Sequence, residues 1–279
     1  MREVEVHLLA AGSCRHPEAM TRSTASWRPA DFPALPALLV HPVEGPIMFD
    51  TGYSPSFTAA TDPFPERLYR WLTPMQLSAG NDAAARCRAL GFDPHDVRHV
   101  VVSHFHADHV AGLHAFSAAR IHCARSGLSA AMRGGRLRSV CGGILRGLLP
   151  DDIASRACFF EEASVVDLPR TMHPFSRAAD VLGDGSLLAV ELPGHCPGHW
   201  GLLVADALKG PHFLVADAAW SSESIRRNLP PPRLTTAFLG TTDATRRTLA
   251  ALHELAGRNP DVLLTPYHCS ERAAATAGS

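Results

Sequence analysis

The 279-residue sequence predicts a layered α/β sandwich, and three observations carry that prediction. Short apolar runs of strand length recur in both halves of the chain, capped or amphipathic helical segments lie among them, and no long polar linker separates the halves. A sheet with helices on its outer face must bury the inner face against another layer, so strands and helices mixed in both halves imply stacked layers. The whole chain, 1–279, is read as a single domain.

Taken in order, Val4, Val6 and Leu8 alternate with polar residues, and 37–40 and 47–49 are apolar runs broken by Pro42, Glu44, Gly45 and Pro46. A meander of strands therefore opens the chain. Residues 53–80 lose the strand period and collect Tyr53, Phe57, Phe64, Tyr69 and Trp71 among prolines, with one short helix expected at 65–72. Asn81 or Asp82 caps a helix through Leu90 that Gly91 ends. Residues 97–102 read as a buried strand, Ile121 and His122 open another, and 125–157 is rich in Gly and Arg with an apolar patch at Ile144, Leu145, Leu148 and Leu149. In the second half 187–192, 200–205 and 212–216 read as strands, with a turn at Gly183-Asp184-Gly185. An amphipathic helix follows at 242–256 and a strand at 262–264, while 273–279, small and polar, is expected to fray.

Composition removes several classes. With 46% hydrophobic and 19% charged residues the chain is neither disordered nor collagenous. A formal net charge of -1, with Lys209 the only lysine, provides no electrostatic footprint for nucleic acid or an anionic membrane. The N-terminus alternates charged and apolar residues where a signal peptide needs an apolar stretch, and no run reaches membrane-spanning length. Seven widely spaced cysteines without a Cys-x-x-Cys pair suggest neither a disulfide framework nor a zinc ribbon, so a reducing cytoplasm is expected. Cys14, Cys87, Cys123, Cys141 and Cys158 are expected to be small buried hydrophobes.

Ser103-His104-Phe105-His106-Ala107-Asp108-His109 places four metal-binding side chains within six positions, directly after Val100, Val101 and Val102. In extended backbone, residues two apart point the same way, so His104 and His106 reach one cation while Asp108 and His109, entering a helix, turn toward a second. A chance cluster of surface histidines is the plain alternative, and the density of ligand types in so short a stretch argues against it.

This motif after an apolar strand resembles the signature of the metallo-β-lactamase superfamily, and further landmarks follow in order. Phe49-Asp50-Thr51-Gly52 looks like its Asp-Thr-Gly turn, and Pro193-Gly194-His195-Cys196-Pro197-Gly198-His199 resembles its Gly-His-x-Pro-Gly-His segment. Val215-Ala216-Asp217 resembles its strand-ending aspartate and Pro266-Tyr267-His268 its last ligand, so the resemblance spans about residues 4–270. It implies a four-layer αββα sandwich with a dinuclear metal site at one edge. His104, His106 and His195 would hold the first cation, Asp108, His109 and His268 the second, and Asp217 would bridge them. Asp50 would support the ligating histidines from behind, and His199 would stand outside the coordination sphere. Cys196 and Cys269, beside ligand positions, are expected to point away from the metals as supporting or packing residues.

Within the superfamily the resemblance is greatest to the N-acyl homoserine lactonase-like branch, through Leu182-Gly183-Asp184-Gly185-Ser186, the Pro-Gly-His segment and Asp217. The common zinc β-lactamases carry Cys where this chain has Asp217, which weighs against a β-lactam substrate. Those lactonases carry Tyr three residues after the bridging Asp, and here that position is Trp220, a longer donor that weighs against an acyl homoserine lactone and toward another ester or lactone. The implied reaction is hydrolysis of an ester or lactone carbonyl of a small molecule by a hydroxide shared between two divalent cations, zinc first, with iron or manganese as alternatives. Asp108 would pass the proton to the leaving atom.

Tyr53, Trp220, the aromatic segment 53–80 and the stretch 133–149 are expected to shape the substrate site, with Arg133, Arg136, Arg138 and Arg146 either recognising a carboxylate or merely solvated. A glyoxalase II-like thioester hydrolase is a second reading, against which only 11 residues follow His268. A metal-binding accessory protein of the same fold without turnover is a third. No nucleic acid or membrane partner is expected, and the oligomeric state is open, a homodimer included.

Overall fold

The computed structural model describes residues 2–22 and 24–277. Its main sheet has twelve strands in two halves. In the first half Glu3–Leu8, Ala37–His41 and Gly45–Phe49 run antiparallel, and His99–Val101, Arg120–Cys123 and Ala157–Phe159 extend the sheet in parallel. In the second half Ser164–Asp167, Arg177–Asp180, Leu187–Glu191, Trp200–Asp206 and Gly210–Ala216 are antiparallel neighbours, and Leu263–Pro266 adds in parallel to Gly210–Ala216. The halves are joined by parallel pairing of Glu3 with Ala205 and Val4 with Asp206.

Strand alternation explains the layering. Leu38, Met48, Val100 and Ile121 face outward onto Cys87, Leu113, Leu128 and Leu145 of the first helical layer. Their neighbours Leu39, Ile47, Phe49 and Val101 face inward onto Leu187, Ala189, Leu202, Val204 and Leu214 of the second half. Leu188, Val190, Leu203 and Phe213 then face outward onto Leu249, Leu252 and Leu255 of the helix Thr242–Arg258. Three apolar cores between four layers make this an αββα sandwich, and full burial of each such side chain contributes about 1.5–3 kcal/mol.

The helix Ala83–Ala89 starts where expected, with Asp82 accepting the Ala85 N–H at 3.0 Å. Elsewhere the structure departs from the sequence reading. Residues 53–80 hold two helices, Ser56–Ala60 and Glu66–Leu72, and Met75–Gln76 joins Ser13–Pro17 and Pro29–Pro33 in a separate three-stranded sheet. The Gly- and Arg-rich stretch forms the helices Arg125–Met132 and Arg136–Cys141. Residues expected to fray lie in the helix Ser270–Ala277, apart from 278–279, which fall outside the described residues. All seven cysteines are free; Cys14, Cys87 and Cys123 are buried, but Cys141, the last residue of the helix Arg136–Cys141, is exposed and Cys158, on the edge strand Ala157–Phe159, is half-buried. No helix among the described residues is long and apolar enough to cross a membrane.

Candidate metal centre

Five strands carry the candidate residues to one place. Asp50 follows Gly45–Phe49, the 103–109 segment follows His99–Val101, His195 follows Leu187–Glu191, Asp217 follows Gly210–Ala216, and His268 follows Leu263–Pro266. Two of these exits use left-handed backbone, rare outside glycine: Asp50 has φ 57 and Ala216 φ 47. A register shift between Leu214 and Ala216 accompanies the second and re-aims Asp217 out of the strand's alternation. Gly194 has φ 136, and a Cβ there would lie 2.2 Å from the Thr245 backbone nitrogen, so only glycine lets the His195 loop rest on the helix Thr242–Arg258.

The side chains converge on the Asp217 carboxylate from two sides. Asp217 Oδ2 lies 3.3 Å from His195 Nε2 and 4.0 Å from His104 Nε2. Asp217 Oδ1 lies 3.5 Å from His109 Nε2 and 3.4 Å from His268 Nε2. His195 Nε2 also faces His106 Nδ1 at 3.0 Å, and His268 Nε2 faces Asp108 Oδ2 at 3.2 Å. All seven of these residues are buried.

Second contacts fix several of these rings. Asp50, completely buried, accepts the Ser103 N–H at 2.8 Å, the Ser103 hydroxyl at 2.7 Å and His109 Nδ1–H at 2.8 Å, which leaves His109 Nε2 for the site. His199 donates from Nδ1 to the Leu192 carbonyl at 3.0 Å and accepts the Asp217 N–H on Nε2 at 3.1 Å, so it positions the bridging candidate without pointing at it. His268 donates from Nδ1 to the Pro33 carbonyl at 2.8 Å. Tyr267 stacks on His109 with ring centroids 3.9 Å apart and donates its hydroxyl to the Asp108 carbonyl at 2.9 Å. The sequence reading gave Ser103 and Tyr267 no role, although both stand inside its motifs, directly beside His104 and His268.

Charge follows from this packing. Burial alone would depress the pKa of every ring, and it holds His106 and His199 down to about 4 and His104 and His195 well below the usual histidine value. His109 overcomes its burial because Asp50, then Asp108 and Asp217, raise it to about 10. His268 is likewise raised against its burial, chiefly by Asp217. Asp108 and Asp217 overcome burial in the opposite sense, held below the usual carboxylate range by His109 and His268.

The donor set fits a pair of divalent cations. His104 Nε2, His109 Nε2 and Asp217 Oδ1 are buried atoms with no hydrogen-bond partner among the described residues, an expense that a coordinated cation removes. Ligands about 2.0–2.1 Å from zinc stand about 3.3 Å apart along a tetrahedral edge, close to the 3.0–3.4 Å separations of His195 from His106 and Asp217 and of His268 from Asp108 and Asp217. Cys196 corrects the sequence reading. Its thiol does not turn away but lies within 4.8 Å of the ligand atoms of His104, His106 and His195, and burial raises its pKa well above the ordinary thiol value. Cys269 does pack aside, its sulfur 3.2 Å from the Ser222 hydroxyl.

A cavity of about 450 Å³ opens onto His106, Asp108, His195, Asp217 and His268. Of the aromatic segment, Tyr53 and Tyr69 line this cavity and Phe57 packs between them, with ring centroids 5.3 and 6.0 Å away. The Tyr53 hydroxyl is buried without a hydrogen-bond partner among the described residues. Phe64 and Trp71 are exposed outside the lining. Trp220 lines the cavity and meets the His195 ring edge-on at 5.7 Å. From 133–149, Val140, Cys141 and Gly143 contribute.

The sequence pattern of the metallo-beta-lactamase superfamily matches residues 36–268. The chain belongs to that superfamily. Its superfamily relatives include an N-acyl homoserine lactonase AttM from Azorhizobium caulinodans, 30% identical over 188 residues that cover 66% of this chain and 62% of the relative. The match thus spans less than two thirds of that relative's length. An N-acyl homoserine lactonase from Bacillus cereus is 25% identical over 232 residues, 81% of this chain and 80% of its own. Among solved structures, an N-acyl homoserine lactone hydrolase with the product N-hexanoyl-L-homoserine at its catalytic metal centre superposes with a TM-score of 0.74 at 19% identity, covering 98% of this chain and 96% of the other. AidC, a dizinc quorum-quenching lactonase, superposes with a TM-score of 0.62 at 15% identity, covering 96% and 88%. At such identities the likeness is one of fold.

Proposed function

We propose that this metallo-beta-lactamase superfamily member is a dinuclear metal-dependent hydrolase that cleaves an ester or lactone carbonyl of a small molecule. His104, His106 and His195 would hold one divalent cation, Asp108, His109 and His268 would hold the other, and Asp217 would serve both. The observation that carries this reading is Asp217, whose two carboxylate oxygens face different sets of buried ligand atoms. Zinc suits such a mixed imidazole and carboxylate set. When bound, the cations supply a water of lowered pKa and polarise the scissile carbonyl.

The chain's own groups do the rest. Asp50 keeps the proton of His109 on Nδ1, so that Nε2 presents a lone pair. Asp108, at the cavity wall, takes and returns a proton on its carboxylate as the leaving oxygen departs. Leu68, Tyr69, Val140 and Phe32 exclude water and hold the apolar body of the substrate. The lactonase names of the AttM and Bacillus cereus relatives favour a cyclic ester. The protein acts as one domain, 1–279, in the cytoplasm, where free thiols such as its seven persist.

The test is metal content per chain together with hydrolysis of lactones, aryl esters and thioesters before and after chelation. Two zinc ions and chelator-sensitive lactone or ester cleavage are expected. Cleavage confined to thioesters would move the reading to a glyoxalase II-like enzyme, and full metal with no acyl cleavage would leave an accessory metal-binding protein.

A further inference from the structure

Next to the metal cavity lies a second one of about 540 Å³, and the two share His106 as a wall. It runs between the helices Arg125–Met132 and Arg136–Cys141, and no Asp or Glu lines it. Arg133 and Arg138 line it, and neither guanidinium has an ion pair or hydrogen bond among the described residues. That sets them apart from the arginines around them. Arg136 makes hydrogen bonds of 2.9 and 2.6 Å to Glu66, Arg125 pairs with Glu162, and Arg146 donates to the carbonyls of Ala131 at 3.1 Å and Gly134 at 2.7 Å.

The last contact matters for the groove. Arg146 pins the backbone on both sides of Arg133, so the segment presenting that guanidinium is held in place. Ser126, Ser129 and Ser139 add three hydroxyls to the same lining, and Ser139 is itself buried. A chain with 26 basic and 27 acidic residues has no general excess of positive charge to explain two unpaired guanidiniums in one concavity. Concave walls of low dielectric concentrate the field of such a pair, and guanidinium forks match the geometry of carboxylate and phosphate.

We propose that this groove is an oxyanion-binding site, in which Arg133 and Arg138 hold a carboxylate or phosphate group beside the metal centre. The anion arrives either as a free small molecule or as a substituent of the substrate. The site does not depend on the proposed reaction, because binding is read without turnover.

The experiment is titration calorimetry of the zinc-loaded protein with inorganic phosphate and with succinate, on wild type and on R133Q/R138Q. Both side chains are exposed and make no internal bonds, so melting temperature and metal content are expected to stay at wild-type values, and the single variants R133Q and R138Q serve if the double variant misfolds. At least one anion is expected to bind wild type, with affinity about tenfold or more weaker in the double variant. No binding of either anion at millimolar concentration overturns the proposal. So does binding of equal strength in the double variant, which would place the anion on the metals.

A second arm separates the two sources. If the anion belongs to the substrate, kcat/KM for a lactone bearing a carboxylate falls in the double variant while that for its neutral counterpart does not. If it is free, added phosphate or succinate alters turnover of the neutral lactone in wild type and not in the variant. Loss of all turnover in wild type refutes the hydrolase reading and leaves the calorimetric result standing.

Discussion

Asp50→Asn offers a sharp test of how the site is organised from behind. Asp50 touches no candidate cation position, yet it accepts three hydrogen bonds at 2.7–2.8 Å and has φ 57, a conformation Asn adopts readily and Ala does not. The amide oxygen can keep the Ser103 N–H, which places the amide NH2 against His109 Nδ1. Two donors facing each other disfavour a proton on Nδ1, so the neutral His109 ring of the variant keeps its proton on Nε2, the atom that faces Asp217 and Asp108. A cation at the second position displaces an Nε2 proton in either protein, but in the variant it must also force the unfavourable tautomer, and it loses the charge of Asp50 behind the ring. Loss of such a supporting carboxylate costs about 10–100-fold in metal affinity, or about 1.4–2.8 kcal/mol. The assay is zinc competition against a chromophoric chelator at fixed pH. The weaker of two binding steps is expected to shift by that factor while the other changes little; unchanged affinity at both steps would refute the supporting role of Asp50.

Gly194→Ala drives a Cβ to 2.2 Å from Thr245 nitrogen, so a destabilisation of about 1–3 kcal/mol is expected, seen as a fall of roughly 2–10 °C in Tm; an unchanged Tm would show that the loop yields. In metal-stripped protein His106, held to about 4, binds its proton later than in the unfolded chain, so stability declines as pH falls from ~6.5 toward 4. His109, raised to about 10, contributes fully below pH ~6.5 and loses its contribution as pH rises toward 10, so urea midpoints across pH are expected to peak near 6.5, and a monotonic profile would contradict this charge assignment. Trp220→Tyr replaces the indole beside His195 with a shorter phenolic donor, and kcat/KM for N-acyl homoserine lactones is expected to rise about 2–10-fold relative to aryl esters; equal change for both substrates would remove Trp220 from substrate selection.

The strand order and the site were legible to different depths. Val100, Val101 and Val102 running into His104 gave both the buried strand and the ligand cluster, because apolar run and ligand spacing are local patterns. The small sheet of Ser13–Pro17, Pro29–Pro33 and Met75–Gln76 was not readable: its strands carry three prolines and no alternation, and they exist through pairing with one another. Residues 273–279 are small and polar and read as a frayed end, yet 273–277 continue the helix Ser270–Ala277, which Arg272 ties to the Leu264 carbonyl at 3.1 Å. Neighbour logic misjudged Cys196, since the turn through Gly194 and Gly198 does not alternate like a strand. The division among the arginines was invisible for a similar reason, because Glu66, which pairs with Arg136, lies 70 residues away.

The parallel seam between Glu3–Leu8 and Trp200–Asp206, and the arrival of His268 on Leu263–Pro266, bear on biosynthesis. The three histidines of the proposed first position are in the polypeptide once His195 has been made, but the second also needs His268, carried by a later strand that docks on Gly210–Ala216. A chain made only as far as His195 can therefore offer the three histidines of the first set but not the full second set. On the proposed reading, a truncated product lacking that later strand would fail to take up the second cation even with its three-histidine cluster intact.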